Sequence, residues 1–287
     1  MSPTFASPAG SLGPLHVEAT VLTSKKVGAF HHLTLVAPGI PERVRPGTFV
    51  ALSVGDLGLG TVRLARRSFW VHRIKPTGGH GLTLEIVVEV VGPGTRWLTN
   101  LPPGGRVAVT GPLGKPFSLP KEPVSCVLVG SGHAAAPMFP LAARLRERGC
   151  AVSLVVSGPD EAHLLSTLEA RRSVRAVTVV TGDGSVGLRG SVADHLAGIL
   201  ERSSADVVYA AGPAPMLHAV AAAAETHGAW SQTALEEPLV CATGLCHGCA
   251  VPVLSEDGGA RVARACVDGP VFRGDRVRWA ALLGTAR

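Results

Sequence analysis

Four cysteines, Cys241, Cys246, Cys249 and Cys266, constrain this chain more than any other feature of its sequence. Three of them fall within Cys241-Ala-Thr-Gly-Leu-Cys246-His-Gly-Cys249, and the fourth follows at a distance, giving C-x4-C-x2-C and then a remote Cys. That is the plant-type 2Fe-2S spacing, in which thiolates hold two irons. Gly244 and Gly248 permit a tight loop whose backbone N–H groups can approach the sulfurs without a side chain in the way. A structural zinc site and a buried or disulfide-bonded cysteine cluster are the competing readings, but zinc ligands usually come as paired C-x2-C or with H-x3-H, whereas His247 stands alone in the loop. Cys126 and Cys150 each open an apolar run and read as small core residues at strand starts, with no chemistry.

The rest of the chain must position that loop, and 287 residues leave room for two or three domains. Residues 1–14 carry Ser, Pro, Ala and Gly with no charge before His16 and no sustained apolar stretch, so they read as a flexible leader without the basic start and apolar core of a secretory signal. No run approaches the roughly 18 apolar residues of a membrane span. Thiolate clusters persist in reducing compartments, so the cytoplasm is the expected location. The net charge of +6 comes from arginines scattered over the chain, and aromatics make up only 4% of it. A nucleic-acid footprint would cluster basic residues and interleave aromatics. A modest positive field suits an acidic partner or a pyrophosphate instead.

Six short β-rich runs, Leu15–Leu22, His32–Val36, Gly47–Val54, Ser68–Ile74, Leu82–Val91 and Arg106–Val109, are separated by Gly- and Pro-rich turns and predict a small barrel or sandwich. From Ser125 onward, the apolar runs Val127–Val129, Val152–Val156, Val177–Thr181 and Val207–Ala211 alternate with helical spacing, the pattern of a parallel sheet flanked by helices. The boundary falls near Leu119-Pro-Lys-Glu-Pro123. Expected boundaries are therefore 1–14 (leader), 15–119 (barrel), 120–234 (α/β) and 235–287 (cysteine segment). The first α/β strand ends in Val129-Gly130-Ser131-Gly132-His133, and the last expected one in Ala211-Gly212-Pro213. Each is a Gly-bearing turn at the carboxyl edge of the sheet, where phosphates approach helix starts in such folds. A tight turn needs small residues whatever it binds, so each turn alone also fits a purely structural role.

The order of motifs resembles the ferredoxin reductase superfamily, and within it the iron-sulfur electron-transfer subunits of type B dihydroorotate dehydrogenase, from about Val17 to Val277. Arg66-Arg67-Ser68-Phe69-Trp70 is similar to the family's flavin motif, Val90-Val91-Gly92-Pro93-Gly94-Thr95 to its pyrophosphate turn, and Gly111-Pro112-Leu113-Gly114 to its G-P-L-G strand end. Gly130 to Pro137 resembles its G-G-G-x-G-x-A-P in altered form, Thr181-Gly182-Asp183-Gly184-Ser185 its T-D-D-G-S, and Ala211 to Leu217 its C-G-P-x-P-M-L. The stretch from Leu235-Glu236-Glu237 through the four cysteines to Phe272 carries the most specific likeness.

The resemblance implies an N-terminal six-stranded antiparallel FAD-binding β-barrel, a parallel-sheet α/β domain binding NAD and a small C-terminal 2Fe-2S segment. It also implies an oxidoreductase component that relays electrons between NAD(H), FAD and the cluster. The partner implied is the catalytic flavoprotein subunit that oxidises dihydroorotate in pyrimidine biosynthesis. Arg67 would meet the flavin pyrophosphate, for which its charged fork is suited. Ser68, Phe69 and Trp70 would line the flavin, with Phe69 against the ring system, and Val87, Val88 and Glu89 would run past it. Gly94 and Thr95 would offer an N–H and a hydroxyl to phosphate. Gly130, Gly132, Gly212 and Pro213 would receive NAD, and Cys241, Cys246, Cys249 and Cys266 the metal. No catalytic acid, base or nucleophile is implied, because the flavin accepts an electron pair and the cluster passes electrons singly. NADH is expected over NADPH, since Gly158-Pro159-Asp160-Glu161 follows the second α/β strand with no adjacent Arg for a 2′-phosphate.

The chain departs from the family at three positions. Trp70 stands where a hydroxyl is usual, and an indole is larger and only a donor; Ser131 and Ala134 replace glycines in the nucleotide turn. Two alternatives remain open from the residues. One is a reductase serving another acceptor, such as an oxygenase or a transhydrogenase, and the other a zinc-holding, non-catalytic docking module.

Overall fold

The computed structural model describes residues 4–5, 13–55 and 66–284. Six strands, β1 (Leu15–Val27), β2 (Phe30–Val36), β3 (Phe49–Leu52), β4 (Arg67–Pro76), β5 (Leu82–Glu89) and β6 (Arg106–Leu113), close into a barrel in the order β1-β2-β5-β4-β3-β6, every pair antiparallel. Each expected run became a strand, and a barrel rather than a sandwich is formed. β1 continues past Leu22 because its polar tail, Ser24–Val27, is held by the hairpin with β2 and not by burial. Leu33, Leu35, Leu52, Leu84, Ile86 and Val109 fill the barrel. Strand alternation turns their neighbours outward, so Trp70 and Val87 join a second core shared with the α/β domain. A short helix, α1 (Pro93–Thr99), follows β5.

The second sheet runs β10-β9-β8-β7-β11-β12-β15. Its strands are β7 (Ser125–Ser131), β8 (Ala151–Gly158), β9 (Ala176–Thr181), β10 (Leu188–Arg189), β11 (Val207–Gly212), β12 (Trp230–Leu235) and β15 (Val271–Arg273). All neighbours are parallel except β12 and β15. Between them lie α2 (Met138–Glu147), α3 (Thr167–Ser173), α4 (Val192–Ser203) and α5 (Ala214–Thr226). β7 sits between β8 and β11, so the strand order switches there, the place where open α/β sheets leave a crevice.

β12 continues the sheet beyond the last strand expected from sequence. Its buried centre is Ser231-Gln232-Thr233, which carries little apolar signal. Gln232 is satisfied inside the protein, accepting from the Ser118 N–H (2.9 Å) and donating to the Ser118 carbonyl (2.8 Å). The cysteine segment supplies the hairpin β13 (Ala250–Leu254) and β14 (Ala260–Arg264), then β15 and α6 (Trp279–Leu282). Through β15 it is stitched into the α/β sheet. The barrel also meets it directly, since the Lys115 N–H donates to the Gly269 carbonyl at 2.5 Å.

A polar tie joins barrel and α/β domain beside their shared core. Arg73 on β4 donates to Glu169 on α3 (Nε to Oε1, 2.8 Å) and to Glu85 on β5 (3.2 Å), which also lies 3.0 Å from His32 Nδ1. Burial pushes the enclosed His72 down to about 3, so it stays neutral. Within the leader, Thr4 and Phe5 are held against the protein: the Lys121 N–H donates to the Thr4 carbonyl, and the Phe5 ring stacks 3.8 Å from that of Trp230. Residues 1–3 and 6–12 of the expected leader lie outside the described residues. Among the described residues, no helix is long and apolar enough to cross a membrane.

Candidate functional site

The cysteine loop folds by pointing its backbone at its own sulfurs. Cys241 Sγ accepts from the N–H groups of Thr243 and Cys246, and Cys246 Sγ from that of Gly248, each at 3.4 Å. Such wrapping needs left-handed residues, and Ala242 (φ 61°), Gly244 (φ 86°) and His247 (φ 55°) provide them. Gly244 is required twice over, because a Cβ there would meet Val267 Cγ2 at 2.6 Å. Gly248 has no such need. Although partial burial opposes ionisation, the two N–H donors bring the Cys241 thiol down to about 6. Burial and the adjacent Cys249 push Cys266 up to about 12.

The sulfur arrangement separates the two metal readings. Four thiolates around one zinc at about 2.3 Å would lie about 3.8 Å from one another. Among the described residues, the one group of three or more His, Cys, Asp or Glu ligand atoms within 4.8 Å of each other is His32, His72 and Glu85. There the Arg73 guanidinium already supplies the positive charge. No three of the four sulfurs therefore gather as a single ion demands. Cys249 and Cys266 make one close pair (Sγ–Sγ 3.4 Å), while the Cys246 N–H donates to Cys241 Sγ at 3.4 Å, an arrangement that fits the four-thiolate set of a two-iron cluster.

A cavity of about 460 Å³ opens next to this loop. Arg67, Ser68, Phe69 and Trp70 of β4, Val87 and Glu89 of β5, and Thr95 of α1 all line it. Seven of the residues expected at the flavin thus come together. Val88 does not, for alternation turns it into the barrel core. Phe69 lines the cavity while packing with the barrel core, and Trp70 stands on the opposite face of the strand, edge-on to Phe49 at 6.4 Å.

Gly94 lies against Arg67, where an added Cβ would come within 3.2 Å of Nε and 3.3 Å of Nη2. The missing side chain thus leaves the guanidinium beside the backbone of the Gly-rich turn, a cradle fit for a pyrophosphate. The Thr95 hydroxyl, expected to meet phosphate, serves the turn itself, accepting from the Val91 and Gly92 N–H groups and donating to the Gly92 carbonyl.

At the sheet switch, the two other Gly-bearing turns lie side by side. A Cβ on Gly212 would meet Met216 Cε at 2.6 Å and Ser131 Cβ at 3.2 Å. Gly130 is demanded by packing, since a Cβ would lie 2.5 Å from that of Ala135, whereas Gly132 (φ 55°) faces open space. None of Gly130, Gly132, Gly212 and Pro213 lines the cavity, but His133 of the same turn does.

The sequence reading missed the far wall of the cavity. Glu236, Glu237, Pro238, Leu239 and Val240 line it, and Cys241 follows immediately. His133 bridges two walls, with Nδ1 3.0 Å from Glu89 Oε2 and Nε2 2.8 Å from Glu236 Oε1. Burial alone would lower its pKa, but the two carboxylates outweigh burial and raise it. Burial raises that of Glu237. A His inside a Gly-rich turn and an acidic pair ahead of the cysteines were the available signals.

Residues 236–278 match the family model of the iron-sulfur cluster binding domain of dihydroorotate dehydrogenase B. The electron transfer subunit of dihydroorotate dehydrogenase B (NAD(+)) from Geobacillus thermodenitrificans is 33% identical over 252 residues, covering 86% of this chain and 92% of that protein. Its counterpart from Desulforamulus reducens is 29% identical over 249 residues, covering 87% and 92%. Among solved structures, an NADH-dependent reduced ferredoxin-NADP oxidoreductase studied for flavin-based electron bifurcation superposes with a TM-score of 0.79 at 28% identity, covering 97% of this chain and 94% of that one.

Proposed function

Because the chain belongs to the family of electron transfer subunits of dihydroorotate dehydrogenase B, we propose that it relays electrons between NAD(H), FAD and a 2Fe-2S cluster, to or from the catalytic subunit of that enzyme. One observation carries this reading. The wall of the cavity lined by Arg67 and Trp70, Glu236–Val240, runs without a break into the first cluster ligand, Cys241. Whatever the cavity holds is therefore neighbour to the cluster.

In this reading residues 15–119 hold FAD, 120–234 hold NAD and 235–287 hold the cluster. FAD converts a two-electron donor into single electrons, and the cluster carries them one at a time. Arg67 and the Gly94 backbone would hold the pyrophosphate, Trp70 and Val87 exclude water from one side of the cavity, and the loop N–H groups stabilise thiolate charge. The turns at Gly130, Gly132, Gly212 and Pro213 would take the nicotinamide dinucleotide. NADH is favoured over NADPH because Asp160, after β8, presents a carboxylate that the His163 N–H and ring hold ionised, a poor neighbour for a 2′-phosphate. The cytoplasm, a reducing compartment, suits the thiolates.

The purified protein should carry FAD with about two irons and two labile sulfides per chain. NADH should bleach its visible spectrum faster than NADPH. Added catalytic subunit should couple that bleaching to orotate and dihydroorotate. Stoichiometric zinc without sulfide would leave the docking-module reading instead. A second reading, a reductase subunit for another acceptor, is favoured by the likeness to the ferredoxin-NADP oxidoreductase over 97% of the chain; failure of the catalytic subunit to bind would select it.

A further inference from the structure

The His133 side chain touches acidic groups from two other parts of the molecule. Glu89 ends β5 of the barrel, and Glu236 follows β12 at the head of the segment leading to Cys241. Both ring nitrogens lie within 3.0 Å of a carboxylate oxygen. A neutral imidazole has one donor and one lone pair. It would therefore aim a lone pair at one of the two carboxylates, and only the doubly protonated ring satisfies both.

We propose that His133 is a positioning residue for the bound flavin: as a double donor it clamps the cluster-bearing segment to the barrel, and loss of its proton lets the Glu236–Val240 wall swing away and loosens FAD. The inference rests on the FAD-binding reading above. Glu89 is fixed by its strand, whose residues pair with β2 up to Phe30–Glu89. Glu236 is followed by a stretch outside any strand or helix, so that side yields. The other ionisable groups facing the clamp are His163, whose Nε2 lies 4.0 Å from Glu89 Oε1 and whose Nδ1 is held by Asp160, and Arg66, Arg67 and Glu237, which line the same cavity. The ring of Phe30 packs edge-on to His133 at 6.2 Å and adds no charge.

The sign follows from the carboxylates. They raise the imidazole above its ordinary value, so the clamp is complete below the usual imidazole range and is lost as pH rises through the folded value. FAD affinity should fall in the same direction. For one proton the dissociation constant can rise at most about tenfold per pH unit.

The test is release of FAD from the purified holoprotein, measured by ultrafiltration and visible absorbance from pH 6 to 9. The wild type should bind most tightly at pH 6 and weaken steadily above neutrality. His133→Gln, neutral throughout, should bind several-fold more weakly at pH 6 and show no slope. Glu236→Gln, whose amide can donate to a neutral ring, should keep its affinity at pH 9. A flat wild-type profile overturns the proposal, as does a His133→Gln profile parallel to wild type. Should His133→Gln lose its fold by circular dichroism, the Glu236→Gln profile decides, and an unchanged slope there overturns the clamp. A wild type that binds no FAD at any pH refutes the flavin reading itself, a separate outcome.

Discussion

The cysteine loop takes its sulfur-directed donors from within Thr243–Gly248, whereas the adjoining cavity draws its walls from β4, β5, the turn after β7 and the segment after β12. Two neighbouring sites are thus held by different kinds of constraint. The loop depends on local backbone strain, with three left-handed residues in six positions, and tolerates the exposure of Cys246 and Leu245. The cavity depends on how barrel, sheet and C-terminal segment sit together. A local site should fail alone and completely, and an assembled one by degrees.

Cys246→Ser is the largest expected break. Iron and sulfide should fall from about two each per chain to none, while bound FAD stays at wild-type level, because Cys246 is not among the residues lining the cavity. Loss of FAD together with iron would show that the loop braces the cavity wall and that the two sites are one unit.

Trp70→Ser tests the assembled side. The indole is 9% exposed and belongs to the core shared by barrel and α/β domain, so truncation should cost about 3–5 kcal/mol and lower Tm. Since the ring also lines the cavity, the fluorescence of bound flavin should rise as a nearby quencher is lost, and stopped-flow reduction by NADH should quicken. A lowered Tm with unchanged flavin signals would place Trp70 in the core alone.

The same contrast explains what the sequence could reveal. The four ligands were readable because their spacing is itself the chemistry, and the barrel strands because alternation and turns are local signals. β12 was hidden by its polar centre, Ser231-Gln232-Thr233, which is buried only because Ser118, far away in sequence, satisfies Gln232. β15 is three residues long and exists through its pairing with β12. Half of the cavity was legible from the motif around Arg67. The clamp at His133 was not, since Glu89 and Glu236 meet it only through the tertiary fold. Val88 was expected at the flavin together with its strand neighbours Val87 and Glu89, but alternation along β5 turns its side chain into the barrel core.

Arg67→Ala should weaken FAD without disturbing the cluster. A charge-assisted hydrogen bond contributes about 1.5–3 kcal/mol, or roughly a tenfold to hundredfold rise in the FAD dissociation constant, measured by dialysis. Unchanged retention would mean that the guanidinium beside Gly94 serves the protein and not the phosphate. Iron content should remain at wild type, the complement of the Cys246→Ser result.

Gly94→Ala should give the smallest effect and the sharpest separation of fold from site. Gly94 lies inside α1 and its φ is not in the left-handed region, so alanine fits the backbone, and the less flexible unfolded chain should by itself add about 0.4–1 kcal/mol of stability. The added methyl would press on Val54 Cγ2 at 3.1 Å and on the Arg67 guanidinium at 3.2 Å. The flexible arginine yields, and it yields away from the turn. FAD affinity should therefore drop a few-fold while Tm stays near wild type, the shift demanded of the buried Val54 methyl offsetting the gain from the stiffer chain. Parallel losses in both would instead make Gly94 a packing residue of the barrel and remove it from the pyrophosphate cradle.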